Sequence, residues 1–326
     1  MVALGTGTRI RELDALRGFA VGGIMLVNTW QHAVHEPATG IDWVIDNLFQ
    51  SRFYPIFSLL FGISFVLFLE RADRRVLLRR LFWLLLFGLI QHTWYTGEVL
   101  TDYAFFGALV LVPASFLPGG VPVLVLGLAL LGWSIAHDGG FLRFEGALSI
   151  VPTGPLLIPA AFLIGMGLMR LRPPRRLLAP AFTVSAPAAA LLFAVWTSTG
   201  DWTVYLASAV VSAAAYSTGL LLVLRPWLSA VLEPLGKMAL TNYVSGTVVI
   251  VLADPLIDAD RTRWSVLTVA ALTVAAQVLF SRWWLGRYRY GPLEWVWRCL
   301  TWFRYVPNRL ESGRDENRPL PDPGVT

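Results

Sequence analysis

From Leu16 to Val34 the chain runs almost without interruption through apolar residues. At about 1.5 Å of rise per residue that is long enough to cross a bilayer. Comparable apolar runs recur near 52–69, 77–95, 102–117, 121–137, 155–171, 177–198, 202–224, 239–256 and 264–285. The pattern predicts an all-α polytopic membrane protein of ten transmembrane helices. The polar stretches between the runs are too short for a soluble domain, so residues 1–307 read as a single transmembrane helical domain. Residues 308–326 are polar and contain prolines, the composition of a disordered tail. No charged segment with a short apolar core and small-residue cleavage site precedes the first run, which is therefore expected to stay in the mature protein.

Polar positions inside the first run change what it is for. At about 100° per residue, Arg17 and Asn28 fall within about 20° of each other, and His35 returns to the azimuth of Arg17. His32 lies one turn beyond Asn28. One stripe thus offers a cation, an amide and imidazoles from one membrane surface to the other, and such groups normally face a bundle interior or a water-filled cavity. Packing is the simpler use of the same helix: Gly18 and Gly22 form a small-xxx-small pair that admits a neighbouring helix.

Charge supplies the orientation. Of the 26 Lys and Arg, 22 fall in the segments that lie inside if the N-terminus is inside, leaving Arg52, Arg143, Arg261 and Arg263 outside. That split predicts an N-in, C-in topology. The chain is 56% hydrophobic and 14% charged with a mean hydropathy of +0.61, so its pI near 9.6 reflects loops beside anionic lipid, with no nucleic-acid module in view. A lone Cys299 excludes an internal disulfide, and no zinc-type spacing or other metal-ligand pattern is present.

Chemistry-bearing residues collect at two depths. On the outer side stand His32, His35, Glu36, Asp42 and Asp46, then His92 followed by Glu98 and Asp102, which share a face if that stretch is helical. Histidine with carboxylate is the usual acid and base pair near neutral pH. On the inner side, Asp14 and Arg17 sit at the mouth of the first span and Arg74, Arg75, Arg79 and Arg80 lead into the third. Lys237, Thr241, Asn242 and Tyr243 form a further polar set with Arg287, Arg289, Glu294 and Arg298. Singly these arginines are positive-inside anchors. Together they suit an anionic cytoplasmic ligand, because guanidinium pairs bidentately with phosphate.

The segments LDALRGFAVGGIMLVN, FSLLFGISFVL (57–67), RRLFWLLLFGLIQHTWYTGEVLTDYAFFG (79–107), GKMALTNYVSG (236–246) and RYGPLEWVWRCLTW (289–302) resemble the YeiB-type family of bacterial membrane proteins. Its carboxy-terminal part is domain of unknown function family 418. The resemblance spans nearly the whole chain and implies the bacterial plasma membrane. It also implies a place in the transmembrane acyltransferase superfamily that includes heparan-α-glucosaminide N-acetyltransferase. Known members take an acyl group from cytoplasmic acyl-CoA and pass it to a glycan or similar acceptor across the membrane.

By that resemblance His35, with His32 as competitor, occupies the catalytic loop position, His92 matches the family's GLLH histidine, and Glu98 stands where the family often has Asp. Arg17 matches the LRG arginine, and Asp14, Arg17, Asn28, Ser58, Asn242, Arg289 and Glu294, in the shared segments, are expected to bind substrate or cofactor. One position departs: related O-acyltransferases carry a histidine where this chain has Asn28. The expected function is therefore an acyl-CoA-dependent membrane acyltransferase using no metal. The alternative is a transporter of a small amphiphile or peptide, using the same groups as a relay.

Overall fold

The structure, a computed structural model, describes residues 11–33, 36–138 and 156–310. His35, the loop around Gly139, Arg143 and most of the tail from 308 lie outside the described residues. Among those described the chain is helical, with one isolated bridge between Tyr288 and Arg309. In order the helices are α1 (Arg11–Gln31), α2 (Gly40–Leu48), α3 (Phe53–Leu69), α4 (Arg74–His92) and α5 (Leu100–Phe106). A π-helical turn (Gly107–Leu111) leads into α6 (Val112–Ala114), followed by α7 (Val121–Asp138) and α8 (Leu157–Leu171). The rest are α9 (Leu178–Thr199), α10 (Trp202–Val223), α11 (Pro226–Lys237), α12 (Ala239–Ala259), α13 (Trp264–Leu285) and α14 (Pro292–Trp302).

Among the described residues each apolar run of the sequence contains a helix, though several runs extend past the helix ends into turns. The short helices α2, α11 and α14 were not expected, because their one-sided apolar pattern is too brief to read as a span. Five stretches are both long and apolar enough to cross a membrane, 40–69, 175–199, 202–223, 239–259 and 264–285, and three shorter apolar helices accompany them. The chain is thus an all-helical membrane protein. Helix α1 carries ionic groups in its first two turns, and α4 carries four arginines in its own.

Helix α1 is the axis of the bundle, packed against α3, α10, α11, α12 and α13. Its buried residues fall on several sides: Leu16, Ala20 and Val27 meet Phe53, Ile56 and Leu60, Val21 meets Leu235 and Ala239, and Trp30 meets Ile45, Ile257 and Val266. The closest crossing is with α11. A Cβ on Gly236 would stand 1.8 Å from the Asp14 carbonyl oxygen, and one on Gly18 2.1 Å from that of Leu232. Gly18 therefore works as expected, whereas Gly22 faces open space, and it is Gly23 that packs closely, on the Phe53 ring.

Contacts between turns sort into two ends. Ion pairs join Glu70 to Arg172 and Glu12 to Arg175, and Arg74 reaches Ser115, so these turns share one end. Trp196 bonds Asn47, Arg261 bonds the Glu36 carbonyl and His32 meets Asp254 at the other.

Candidate functional site

Helix α1 ends at Gln31, and the next turn presents His32. Its Nδ1 lies 2.9 Å from Oδ1 of Asp254, with the two side chains 30% and 44% exposed. The imidazole stacks on Tyr95, the ring centroids 5.4 Å apart and 19° from parallel. Tyr95 is buried with Met25 and Ile250, so the imidazole is braced on one face and held at one nitrogen. A carboxylate on Nδ1 fixes the tautomer in which Nε2 is the basic nitrogen.

Residues 36–42 beyond His32 are tied to the start of α13. Arg263, with no exposed surface, donates through Nε to Asp42 Oδ1 at 3.0 Å and through Nη2 to the Pro37 carbonyl at 3.2 Å. Asp42 also accepts from Trp30 Nε1 at 2.9 Å and from the Thr39 backbone at 2.8 Å, closing a capping box at the start of α2. Asp42 is thus a clasp that holds α1, α2 and α13 together at this end.

The other expected acid and base groups go elsewhere. His92 is exposed at the end of α4, while its neighbour Gln91 points inward and donates to Thr247 Oγ1 at 3.0 Å. The roughly 100° step of the helix decides this: only one of two consecutive residues can face α12. Glu98 lies before α5, not within it, and its Oε2 accepts from the Thr101 backbone at 3.0 Å. The expected orientation of His92 by Glu98 or Asp102 is therefore not what the fold assembles. Asp102 stands half-buried, near enough to Glu98 for the two carboxylates to repel. Ser58 is fully buried and shares a 2.7 Å hydrogen bond with the Tyr103 hydroxyl. Asn28 is half-buried on α1, and among the described residues no hydrogen-bond partner meets its amide.

Asp254 is the residue the sequence reading passed over. The available signal was a carboxylate inside the apolar run of α12, since ionisable residues in spans are costly and mark sites.

The opposite end holds the cations. Arg17 pairs with Asp14 at 3.0 Å and donates to Ser64 Oγ at 2.9 Å. Arg80 lies over the Trp297 ring, 3.5 Å from its centroid, and Arg298 lies over Tyr290 at 4.6 Å. Arg298 and Arg17 stand close enough to repel Arg80, and Glu294 close enough to attract it. Among the described residues no carboxylate forms an ion pair with Arg80 or Arg298.

Glu294 is the nearby acid, and it is committed. It accepts from the backbone N–H groups of Leu240 (2.7 Å) and Thr241 (3.0 Å) and from Thr241 Oγ1 (2.6 Å), capping the start of α12. Burial pushes its carboxyl up, against the pull of those hydrogen bonds. Two of the segments that carry the resemblance, 236–246 and 289–302, thus meet here. Asn242 is also structural, its side-chain amide donating to the Leu235 carbonyl at 2.9 Å and Ser281 Oγ at 3.1 Å and its backbone carbonyl accepting from Gln277 at 2.7 Å. The Arg289 backbone N–H bonds the Asn308 carbonyl at 2.8 Å, fixing the chain ahead of α14. Arg17 lies fifteen residues before His32, which directly follows the end of α1, so the two ends are separated by about 22 Å. Among the described residues no group of three His, Cys, Asp or Glu is placed to hold a metal ion.

Residues 170–304 match the family described as "Protein of unknown function (DUF418)". The chain is similar to the "Uncharacterized 39.9 kDa protein in amylase 3'region" of Bacillus acidopullulyticus, with 33% identity covering 94% of this chain and 98% of that protein. It is 28% identical to "Uncharacterized protein YeiB" of Escherichia coli over 89% of this chain and 95% of that one. With "Uncharacterized protein YxaH" of Bacillus subtilis the identity is 25%, covering 93% and 96%. No solved structure matches.

Proposed function

We propose a transferase function for this chain, which belongs to the YeiB-type DUF418 family. It moves an acyl group from cytoplasmic acyl-CoA to an extracytoplasmic acceptor such as a glycan. The single observation that carries the reading is polarity of chemistry along one helix. A braced, carboxylate-held imidazole stands at one end of α1, and at the other stands a cluster of guanidinium groups in which, among the described residues, Arg80 and Arg298 form no ion pair.

The donor's phosphates rest on Arg80 and Arg298 with Arg17 beside them, through charge-assisted hydrogen bonds. Its acyl arm lies along the bundle toward His32. Nε2 of His32 takes the proton of an acceptor hydroxyl or amine as the acceptor attacks the thioester carbonyl; the carbon–sulfur bond breaks, and the proton passes to the departing thiolate. Asp254 holds the imidazole tautomer throughout. Ten spans in the plasma membrane with both termini cytoplasmic place the two ends on the sides this route requires, in keeping with the 22 to 4 division of Lys and Arg.

Transport of a small amphiphile is the second reading. It is favoured by the exposure of the His32–Asp254 pair, which suits a proton carrier as well as a base. Purified protein in proteoliposomes given labelled acetyl-CoA separates the two. Labelled acceptor, labelled protein or thioester hydrolysis supports transfer. No acetyl-CoA binding at all rejects it in favour of transport.

A further inference from the structure

The sequence gives α4 four arginines in its first two turns, and three of them are engaged. Arg74 donates to Ser115 Oγ at 2.9 Å, Arg79 lies over Phe303 and Arg80 over Trp297. Arg75 is exposed and, among the described residues, has no carboxylate or ring partner. It stands three residues before Leu78 and seven before Phe82, so the three lie on one stripe of the helix. That stripe forms one wall of a groove of about 420 Å³ between α4 and the α5–α6 segment. Ala104 and Ala108, one turn apart, make its low floor, and Phe82, Phe105, Leu78 and Leu109 stand 45–58% exposed along its rims. The other wall runs into the π-helical turn Gly107–Leu111, an irregularity often found at functional positions. All eight lining residues are apolar.

We infer that this groove holds one acyl chain of an anionic phospholipid whose phosphate is met by Arg75. A slot lined only by hydrocarbon, running about 10 Å along α4 from Leu78 to Leu85, matches part of one leaflet in depth, and its Leu78 end lies one helical turn from Arg75. An unneutralised guanidinium at that mouth selects negative charge, since a basic residue near an anionic lipid surface contributes about 1 kcal/mol. The inference is independent of acyl transfer, because it concerns the outer surface of α4 and not the space around α1.

Native mass spectrometry of the detergent-purified protein titrated with phosphatidylglycerol or phosphatidylcholine tests it. The parent retains phosphatidylglycerol in preference. Arg75→Gln, a change at an exposed position, weakens that preference about fivefold, as expected for one basic residue. Ala108→Trp fills the groove and abolishes retention of both lipids at this site. The inference is overturned if the parent shows no preference for phosphatidylglycerol, if Arg75→Gln keeps the full preference, or if Ala108→Trp retains lipid like the parent.

Discussion

Nδ1 of His32 lies 2.9 Å from Oδ1 of Asp254, although 222 residues separate them in the chain. The pairing needs α1 and α12 side by side, and α12 packs directly on α1, the axis of the bundle. Because each side chain keeps part of its surface open, the pair is accessible to a substrate in a way a core hydrogen bond is not.

Replacing His32 with Ala removes the base and is expected to lower acyl transfer by about 10² to 10⁴, the usual worth of general base catalysis. Asp254→Asn keeps the shape but presents the wrong tautomer, a change that costs up to about 10⁴ in a comparable carboxylate–histidine arrangement. The double variant falls no further than the worse single one, since the two residues act as a unit. Initial rates with labelled acetyl-CoA check all three, and additive losses would separate the pair.

His92→Ala is expected to stay within about twofold of the parent, because a surface change away from any partner is worth at most about 0.5 kcal/mol. Gln91→Ala, one residue earlier, removes the buried hydrogen bond to Thr247 Oγ1, which keeps its bond to the Val244 carbonyl, and costs about 0.5–1.5 kcal/mol in stability. Thermal unfolding in detergent separates the two, and a larger loss from His92→Ala would restore it to the site.

The ten apolar runs were legible because a helix that must bury or lipidate its length writes itself as continuous hydrophobicity. Helices α2, α11 and α14 were not, since each is short and keeps a polar side. The central position of α1 comes from apolar contacts on several of its sides, while of its polar stripe Arg17 stands at the cation end, Asn28 meets no hydrogen-bond partner among the described residues and His35 lies outside them. Asp254 escaped because a single acid in a run reads as the end of a span until another helix brings a histidine to it. Asn242 and Glu294 looked like ligand groups for the converse reason. Buried amides and carboxylates that satisfy helix starts have the same residue types as a binding site, and only their partners tell the two apart.

Arg80→Gln is expected to raise the KM for acetyl-CoA about tenfold or more with little change in kcat, since one charge-assisted hydrogen bond contributes about 1.5–3 kcal/mol of binding. Arg75→Gln serves as the control, being on the same helix but outside the bundle interior. Equal KM values for the parent and Arg80→Gln would remove Arg80 from the donor site.

Gly236→Ala is expected to destabilise the protein by about 1–3 kcal/mol, the range for overpacking a tight contact, because its Cβ would lie 1.8 Å from the Asp14 carbonyl oxygen. Gly22→Ala meets open space and should be neutral or slightly stabilising, as alanine favours helix over glycine. The pair tests whether α11 is pressed onto α1 at this point. Equal melting temperatures for both variants would deny it.

Glu294 links pH to stability at the cation end. Burial raises its carboxyl in the folded state above the unfolded value, so the folded protein binds this proton more tightly than the unfolded chain does. The contribution to stability is fully present below the ordinary carboxylate range and is lost as pH rises through the elevated folded value. Glu294→Gln cannot ionise, yet its amide oxygen still accepts from the Leu240 and Thr241 N–H groups. Its melting temperature should therefore lack this decline, while Glu294→Ala loses the cap and falls by about 1–3 kcal/mol at every pH. Melting curves of parent and both variants between pH 4 and pH 9 decide it, as flagged by the sign of the slope over roughly that window. A parent whose stability rises through that range relative to Glu294→Gln would mean that the hydrogen bonds at the α12 start outweigh burial and that the carboxyl is lowered instead.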